Sequence, residues 1–179
     1  MRYAGIEEFE VNNGEGVGCS LFVQGCHFHC KNCFNQETWD FSGGEEWTPE
    51  TQTKFLEIIN KPYITRVSIL GGEPLADENV DTINNLIFQI PKEKKIWIYT
   101  GYKFEDIIKS VLVSSQEDFK RINNTRYLTV ALADVLVDGQ YIDKLKNLSL
   151  PFRGSSNQRL IDMQKTINNN FEIILWENK

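Results

Sequence analysis

Three cysteines within eight positions, Cys26, Cys30 and Cys33, are the residues best placed to do chemistry. Their spacing is CxxxCxxC, with Gly25 directly before it. A structural zinc site closes with four ligands, and a simple electron-carrying iron–sulfur cluster takes four cysteines. Three thiolates on a four-iron cluster leave one iron open to something from outside, so the pattern reads as reactive. Zinc, with His27 or His29 as a fourth ligand, is the competing reading of the spacing alone. The next groups are the run Gly71-Gly72-Glu73-Pro74, the carboxylate of Asp138, and Arg153 and Arg159 around a Gly-Ser-Ser-Asn-Gln loop. Each also has a plain structural reading: a turn, a cap beside Gly139-Gln140, and a solvated loop. Cys19 sits in a strand-like run and reads as a buried free thiol.

The elements that must position these groups alternate. Cys19–Val23 is short, apolar and bounded by glycines, as a buried strand is. Thr48 and Pro49 form an N-cap and first-turn pair for a helix with Phe55, Leu56 and Ile59 on one face. Arg66–Leu70 reads as a strand ending at Gly71-Gly72. Asp77 is the expected cap of the next helix, whose Val80, Ile83, Ile87 and Ile90 recur at helical spacing. Lys95–Thr100 is a strand, Phe104 to Leu112 a helical stripe, and Val135–Asp138 a strand closed by glycine. Ser114–Arg126 reads as polar and partly irregular, with one short helical piece, and Phe171–Trp176 as a last strand. This alternation predicts a parallel sheet covered by helices, with the ligand at the carboxyl ends of the strands. Four or five βα units are too few for a full eight-stranded barrel, so an open partial (βα) barrel or a doubly wound sheet is expected. The cysteine loop, Gly71–Pro74, Thr100-Gly101-Tyr102 and Asp138-Gly139 all follow strands and so fall at that end.

Composition bounds the rest. A chain of 179 residues, 41% hydrophobic and 25% charged, reads as one domain, residues 1–179. A net charge of −6 argues against nucleic acid or an anionic membrane as partner. No stretch approaches the roughly 20 apolar residues of a membrane span. Met1–Gly16 is acidic and polar, against a signal peptide. Crowded cysteines do not look like a disulfide framework, and a reducing cytoplasm is expected.

GCxxxCxxC after the first strand with GGEP after the second resembles the radical S-adenosylmethionine (SAM) enzymes. Further blocks, Asn13-Gly14-Glu15-Gly16, Cys33 to Trp39, Tyr99 to Tyr102, Val137-Asp138-Gly139 and Phe152 to Arg159, resemble the activating proteins of anaerobic ribonucleoside-triphosphate reductase. These blocks run from about residue 12 to residue 162 in the family's order. The resemblance implies a [4Fe–4S] cluster on Cys26, Cys30 and Cys33, with SAM on the open iron. It implies an oxidoreductase that splits SAM with one electron and generates a glycyl radical on the reductase's large subunit, fed by a flavodoxin or ferredoxin. It assigns Gly71, Gly72, Glu73 and Pro74 to the SAM amino group. Asn32 stands where the superfamily usually has an aromatic that packs on adenine. Adenine contact is therefore expected from the backbone of Asn32–Phe34, including Cys33, with Phe34 as apolar surface. Asp138 is expected beside the glycyl loop or the SAM ribose, and Arg153 on SAM or the reductase. The alternatives are an activase of another glycyl-radical enzyme such as pyruvate formate-lyase, a zinc or iron–sulfur binding module, and a radical SAM enzyme with a small-molecule substrate.

Overall fold

The computed structural model describes residues 1–113 and 116–177. Its strands are β1 (Arg2–Glu10), β2 (Gly18–Val23), β3 (Glu45–Glu46), β4 (Arg66–Gly71), β5 (Lys95–Tyr99), β6 (Val135–Asp138) and β7 (Arg159–Asp162). Its helices are α1 (Pro49–Ile59), α2 (Val80–Ile87), α3 (Phe104–Val113), α4 (Glu117–Ala131) and α5 (Met163–Asn168). The strands form one sheet in the order β3-β1-β2-β4-β5-β6-β7. β2, β4, β5 and β6 run parallel. β1 and β7 flank them antiparallel. The parallel strands never reverse their order, which excludes the doubly wound arrangement. Right-handed crossovers that all step the same way place their helices on one face of an open sheet.

That face is dry. Alternate residues of the strands (Cys19, Leu21 and Val23; Val67 and Ile69; Ile96 and Ile98) pack with Phe55 of α1 and Ile83 and Leu86 of α2. Cys19 lies in this core as a structural thiol, pushed by burial up to about 12. Thr48 caps α1 as expected, its hydroxyl accepting from the Thr51 N–H at 3.2 Å.

Four expectations change. Asp77 does not cap α2, because its carboxylate pairs with Arg126. Asn79, at the cap position, turns its amide inward to the carbonyls of Gln24 and Glu73, both at 3.0 Å. The polar stretch expected to be partly irregular with one short helical piece is continuous helix α4 from Glu117 onward, which packs Ile122, Tyr127 and Val130 on the core and bonds Arg126 to the Leu75 carbonyl. Ser114 and Ser115 of that stretch lie outside the described residues. Within 171–176, Trp176 donates to Leu160 and Asp162 donates to Ile174, but only an isolated bridge forms against β7. β1, β3 and β7 have no counterpart among the expected strands. β1, which the two-residue β3 covers only at Arg2 and Tyr3, has a mostly solvated burial pattern, so no apolar alternation marks it. No described helix is long and apolar enough to cross a membrane.

Candidate functional site

The loop after β2 is held from both sides. Gly25 takes φ of 96°, and a Cβ there would meet the Phe41 ring at 2.0 Å. Its N–H donates to Thr38 at 2.7 Å, and the Cys26 N–H donates to Trp39 at 3.0 Å. The Gly25 carbonyl accepts the Glu73 N–H at 2.7 Å, and it lies 2.4 Å from where a Cβ on Gly72 would stand. The two glycine-marked motifs therefore pack backbone to backbone, and no larger residue fits between them. His29 and Asn32 take left-handed φ of 47° and 55°, which wind the loop through Cys30 and Cys33.

All three cysteines border one cavity of about 510 Å³ at the carboxyl ends of the parallel strands, a size that suits a cofactor or substrate. Burial pushes the Cys26 thiol up to about 11, and raises Cys30 as well. Backbone N–H groups nonetheless point at the sulfurs: Phe28 and His29 at Cys26, Tyr141 at Cys30, and Asn35 at Cys33. Such a set is costly as bare thiolates and favourable once a metal supplies positive charge, so the donors fit an iron–sulfur group. His27 stacks on Phe41 at 4.4 Å and lies 3.1 Å from Glu78. His29 stacks on Trp39 at 4.7 Å. Both imidazoles border a separate hollow rather than the cavity. Among the described residues, no three His, Cys, Asp or Glu side chains converge on a point where one ion could be held.

Of the other expected site residues, Gly71, Gly72, Glu73, Phe34 and Arg153 border the cavity, whereas Asn32, Pro74 and Asp138 do not. Asn32 is exposed, and its amide donates to Asp143 at 3.0 Å. Pro74 is buried behind Glu73. The Glu73 carboxylate is buried and spent on the fold. It accepts from Leu75 N–H at 2.9 Å, Thr100 hydroxyl at 2.7 Å and Gly101 N–H at 2.8 Å. Desolvation outweighs these bonds and raises its pKa to about 7. Asp138 is wholly buried. One oxygen accepts the first N–H of α3, from Phe104 at 2.9 Å, and the other the Arg159 Nε at 2.9 Å. Arg159 continues to Glu105. Asp138 thus pins α3 and β7 to β6 beneath the rim, as a positioning residue.

Two buried polar atoms on the cavity wall, the Tyr99 hydroxyl and the Arg153 Nε, have no hydrogen-bond partner among the described residues. An unsatisfied buried polar atom costs about 1–3 kcal/mol, so these mark where a bound molecule is expected to supply acceptors. The cavity therefore fits an elongated polar ligand beside the cysteines. Sequence reasoning missed Tyr99, Asn13 and Tyr141, which also border the cavity. The signal for Tyr99 was its place as the last residue of a buried strand. It also missed the ion pair of Glu10 and Arg66, 2.7 Å apart and buried below Asn13.

An open α/β sheet with three cysteines at the carboxyl ends of its strands defines an iron–sulfur protein, and the comparisons agree. The model of the 4Fe–4S single cluster domain family matches residues 12–161. The chain is 36% identical over 163 residues to the anaerobic ribonucleoside-triphosphate reductase-activating protein of Salmonella typhimurium, covering 88% of this chain and 96% of the relative. Identity to the protein of the same name is 35% in Escherichia coli K12, with the same coverage. For Enterobacteria phage T4 it is 36%, over 89% of this chain and 93% of the relative. The chain belongs to the family of anaerobic ribonucleoside-triphosphate reductase-activating proteins.

Proposed function

We propose that this chain is a radical SAM oxidoreductase of one domain, folded as an open partial (βα) barrel, that generates the glycyl radical of the anaerobic ribonucleoside-triphosphate reductase. Cys26, Cys30 and Cys33 would hold a [4Fe–4S] cluster, and the cavity beside them would hold SAM. Held by these three cysteines, the reduced cluster would supply one electron for the reductive cleavage of SAM, the chemistry from which a hydrogen atom is taken from a glycine of the reductase. The chain's own residues do the rest. Gly71 and Gly72 let the ligand approach the backbone. Glu73 braces the ends of β4 and β5, leaving the strip's backbone to face the SAM amino group. Cys33 and Phe34 offer an edge and an apolar wall to adenine, while Asn32 shapes the turn. Arg153 directs a free Nε–H at the ligand. A flavodoxin or ferredoxin would deliver the electron.

One observation carries this reading: the cysteine loop and the Gly71–Pro74 strip are bonded backbone to backbone on a single cavity. It is tested by 5′-deoxyadenosine release from the anaerobically reconstituted protein with SAM and a strong reductant, with and without the reductase. The wild type is expected to release it and the reductase to stimulate it, while Cys30→Ala falls to background. An intact, reducible cluster without any SAM cleavage would refute the reading.

A further inference from the structure

The strap between β6 and β7 carries large apolar side chains that the described fold leaves partly or largely exposed. Ile142 and Leu145 are each 42% exposed and Leu148 75%. Phe34, 53% exposed, adjoins them through a ring contact with Tyr141 at 5.2 Å. Contiguous apolar surface of this kind marks an interaction site. The strap is a built feature: Asn147 N–H donates to Gly154, and Ser156 N–H donates to Leu145. Leu148 and Leu150 turn the ledge into the cavity itself, so whatever covers the ledge also reaches the site. Its charge departs from the rest of the chain. Its sequence carries Lys144, Lys146 and Arg153 against the single acidic residue Asp143, whose carboxylate is already bonded by Asn32; Lys146 lies 5.0 Å from the Phe34 ring centre, at the edge of the ledge, whereas the whole chain carries −6.

We infer that this strap is the docking surface for the glycine-bearing segment of the reductase, a segment that presents apolar side chains with a carboxylate beside them. The inference rests on the function proposed above. A small molecule held in the cavity leaves the ledge wet. A second copy of this chain seated there shuts the cavity against its substrate. A protein segment that lies along Leu145 and Leu148 and dips into the cavity covers both. The strap is also tied to the metal loop, since Tyr141 directs its backbone N–H at Cys30 and packs its ring, tilted, against Phe34. Docking there bears directly on the loop that holds the cluster.

The test is the affinity of the reconstituted protein for the reductase, measured anaerobically for wild type, Leu145→Asp and Leu148→Asp. Leu112→Asp, on α3 at a residue 79% exposed, is the control for an apolar residue elsewhere. Leu148 is so open that its replacement leaves the fold intact even where that of Leu145 does not. The two strap variants are expected to bind at least tenfold more weakly, as for centrally placed interface residues, and the control as wild type. Raised salt is expected to slow association of the wild type. Equal affinity in all four proteins overturns the docking surface and leaves the proposed function standing. A wild type that never binds the reductase overturns both. A strap variant that changes only the chain's own oligomeric state makes the ledge a self-interface and overturns it too.

Discussion

The two faces of one sheet solve different problems with the same strands. On the helix-covered face, Leu21, Ile69 and Ile98 stack into a continuous apolar core. On the other face, Trp97, Val135, Val137 and Leu160 form a second, smaller apolar cluster over β5–β7, and beside it Ser20, Ser68 and Tyr99 are buried or nearly so, but polar. There the Glu10 carboxylate accepts from Ser20 at 2.7 Å and from the Asn12 and Asn13 N–H groups, and it pairs with Arg66. The first face stores stability through transfer of apolar area from water. The second spends some of it, because buried charges and polar groups break even only when every partner is present.

Breaking each face should feel different. Ile69→Ala, fully buried among apolar neighbours, is expected to cost about 2–5 kcal/mol through lost transfer and a cavity. Arg66→Ala is expected to cost about 3–5 kcal/mol for another reason, an orphaned Glu10 carboxylate. Arg66 also bonds the carbonyls of Asn13 and Glu15, so the loop between β1 and β2 loosens with it. The discriminating measurement is urea unfolding of the double variant Glu10→Gln, Arg66→Met. Most of the loss should return in that protein, whereas no second change on the polar network rescues Ile69→Ala. Failure of the double variant to recover would mean that the pair stabilises the fold outright.

Two buried carboxylates sharpen the contrast through pH. Burial raises the Glu73 pKa to about 7 against the bonds from Gly101, Leu75 and Thr100 and the nearby Arg126 charge. A raised folded pKa means that the folded protein binds the extra proton. Its stabilising effect is full below the ordinary carboxylate pKa and is lost as pH rises through about 7. For Glu10, burial alone would raise the pKa, but Arg66, Ser20 and Asn13 outweigh it and the net shift is downward. Its contribution is present above the ordinary carboxylate range and is lost as pH falls. Stability of the cluster-free protein should therefore decline from pH 4.5 to 7 by an amount on the order of 3 kcal/mol attributable to Glu73. Glu73→Gln should flatten that slope, and Glu10→Gln should leave it and lose the acid limb instead. Denaturant midpoints across this range decide the matter.

How much of this was legible depended on which face a residue served. The dry face was readable: Val80, Ile83, Ile87 and Ile90 recur at helical spacing and are all buried, because apolar burial imposes its period directly. The cysteine loop was readable because metal ligation requires particular residues at particular spacings. The polar face was not. Glu10 ends an acidic strand and Arg66 begins an apolar one, and each looks like ordinary surface until the fold brings them to 2.7 Å. Asp138 illustrates the same limit. A carboxylate at a strand's carboxyl end reads as catalytic, yet residues 34 and 21 positions away, Phe104 and Arg159, hold both of its oxygens. Long-range partners of polar groups leave no periodic trace, so only a short helical piece was expected where α4 runs, although Arg126 ties it to the Leu75 carbonyl 51 positions away.

The smallest change is also the most diagnostic of what the polar face is for. Tyr99→Phe removes one hydroxyl and nothing else, and that hydroxyl has no hydrogen-bond partner among the described residues. If the atom served the fold, its loss would destabilise the protein, as loss of a typical hydrogen bond does by about 1 kcal/mol. Because it is an orphan, the ligand-free protein is expected to melt at the wild-type temperature or slightly above it. Its affinity for the cavity's occupant, read with SAM and with the reductase separately, should weaken about fivefold to tenfold for whichever of the two supplies the acceptor. The ratio of those two losses assigns the deep half of the cavity to cofactor or to protein substrate. A variant that is less stable, with both affinities intact, would instead return Tyr99 to the fold, as part of the apolar cluster of Trp97, Val137 and Leu160 beside it.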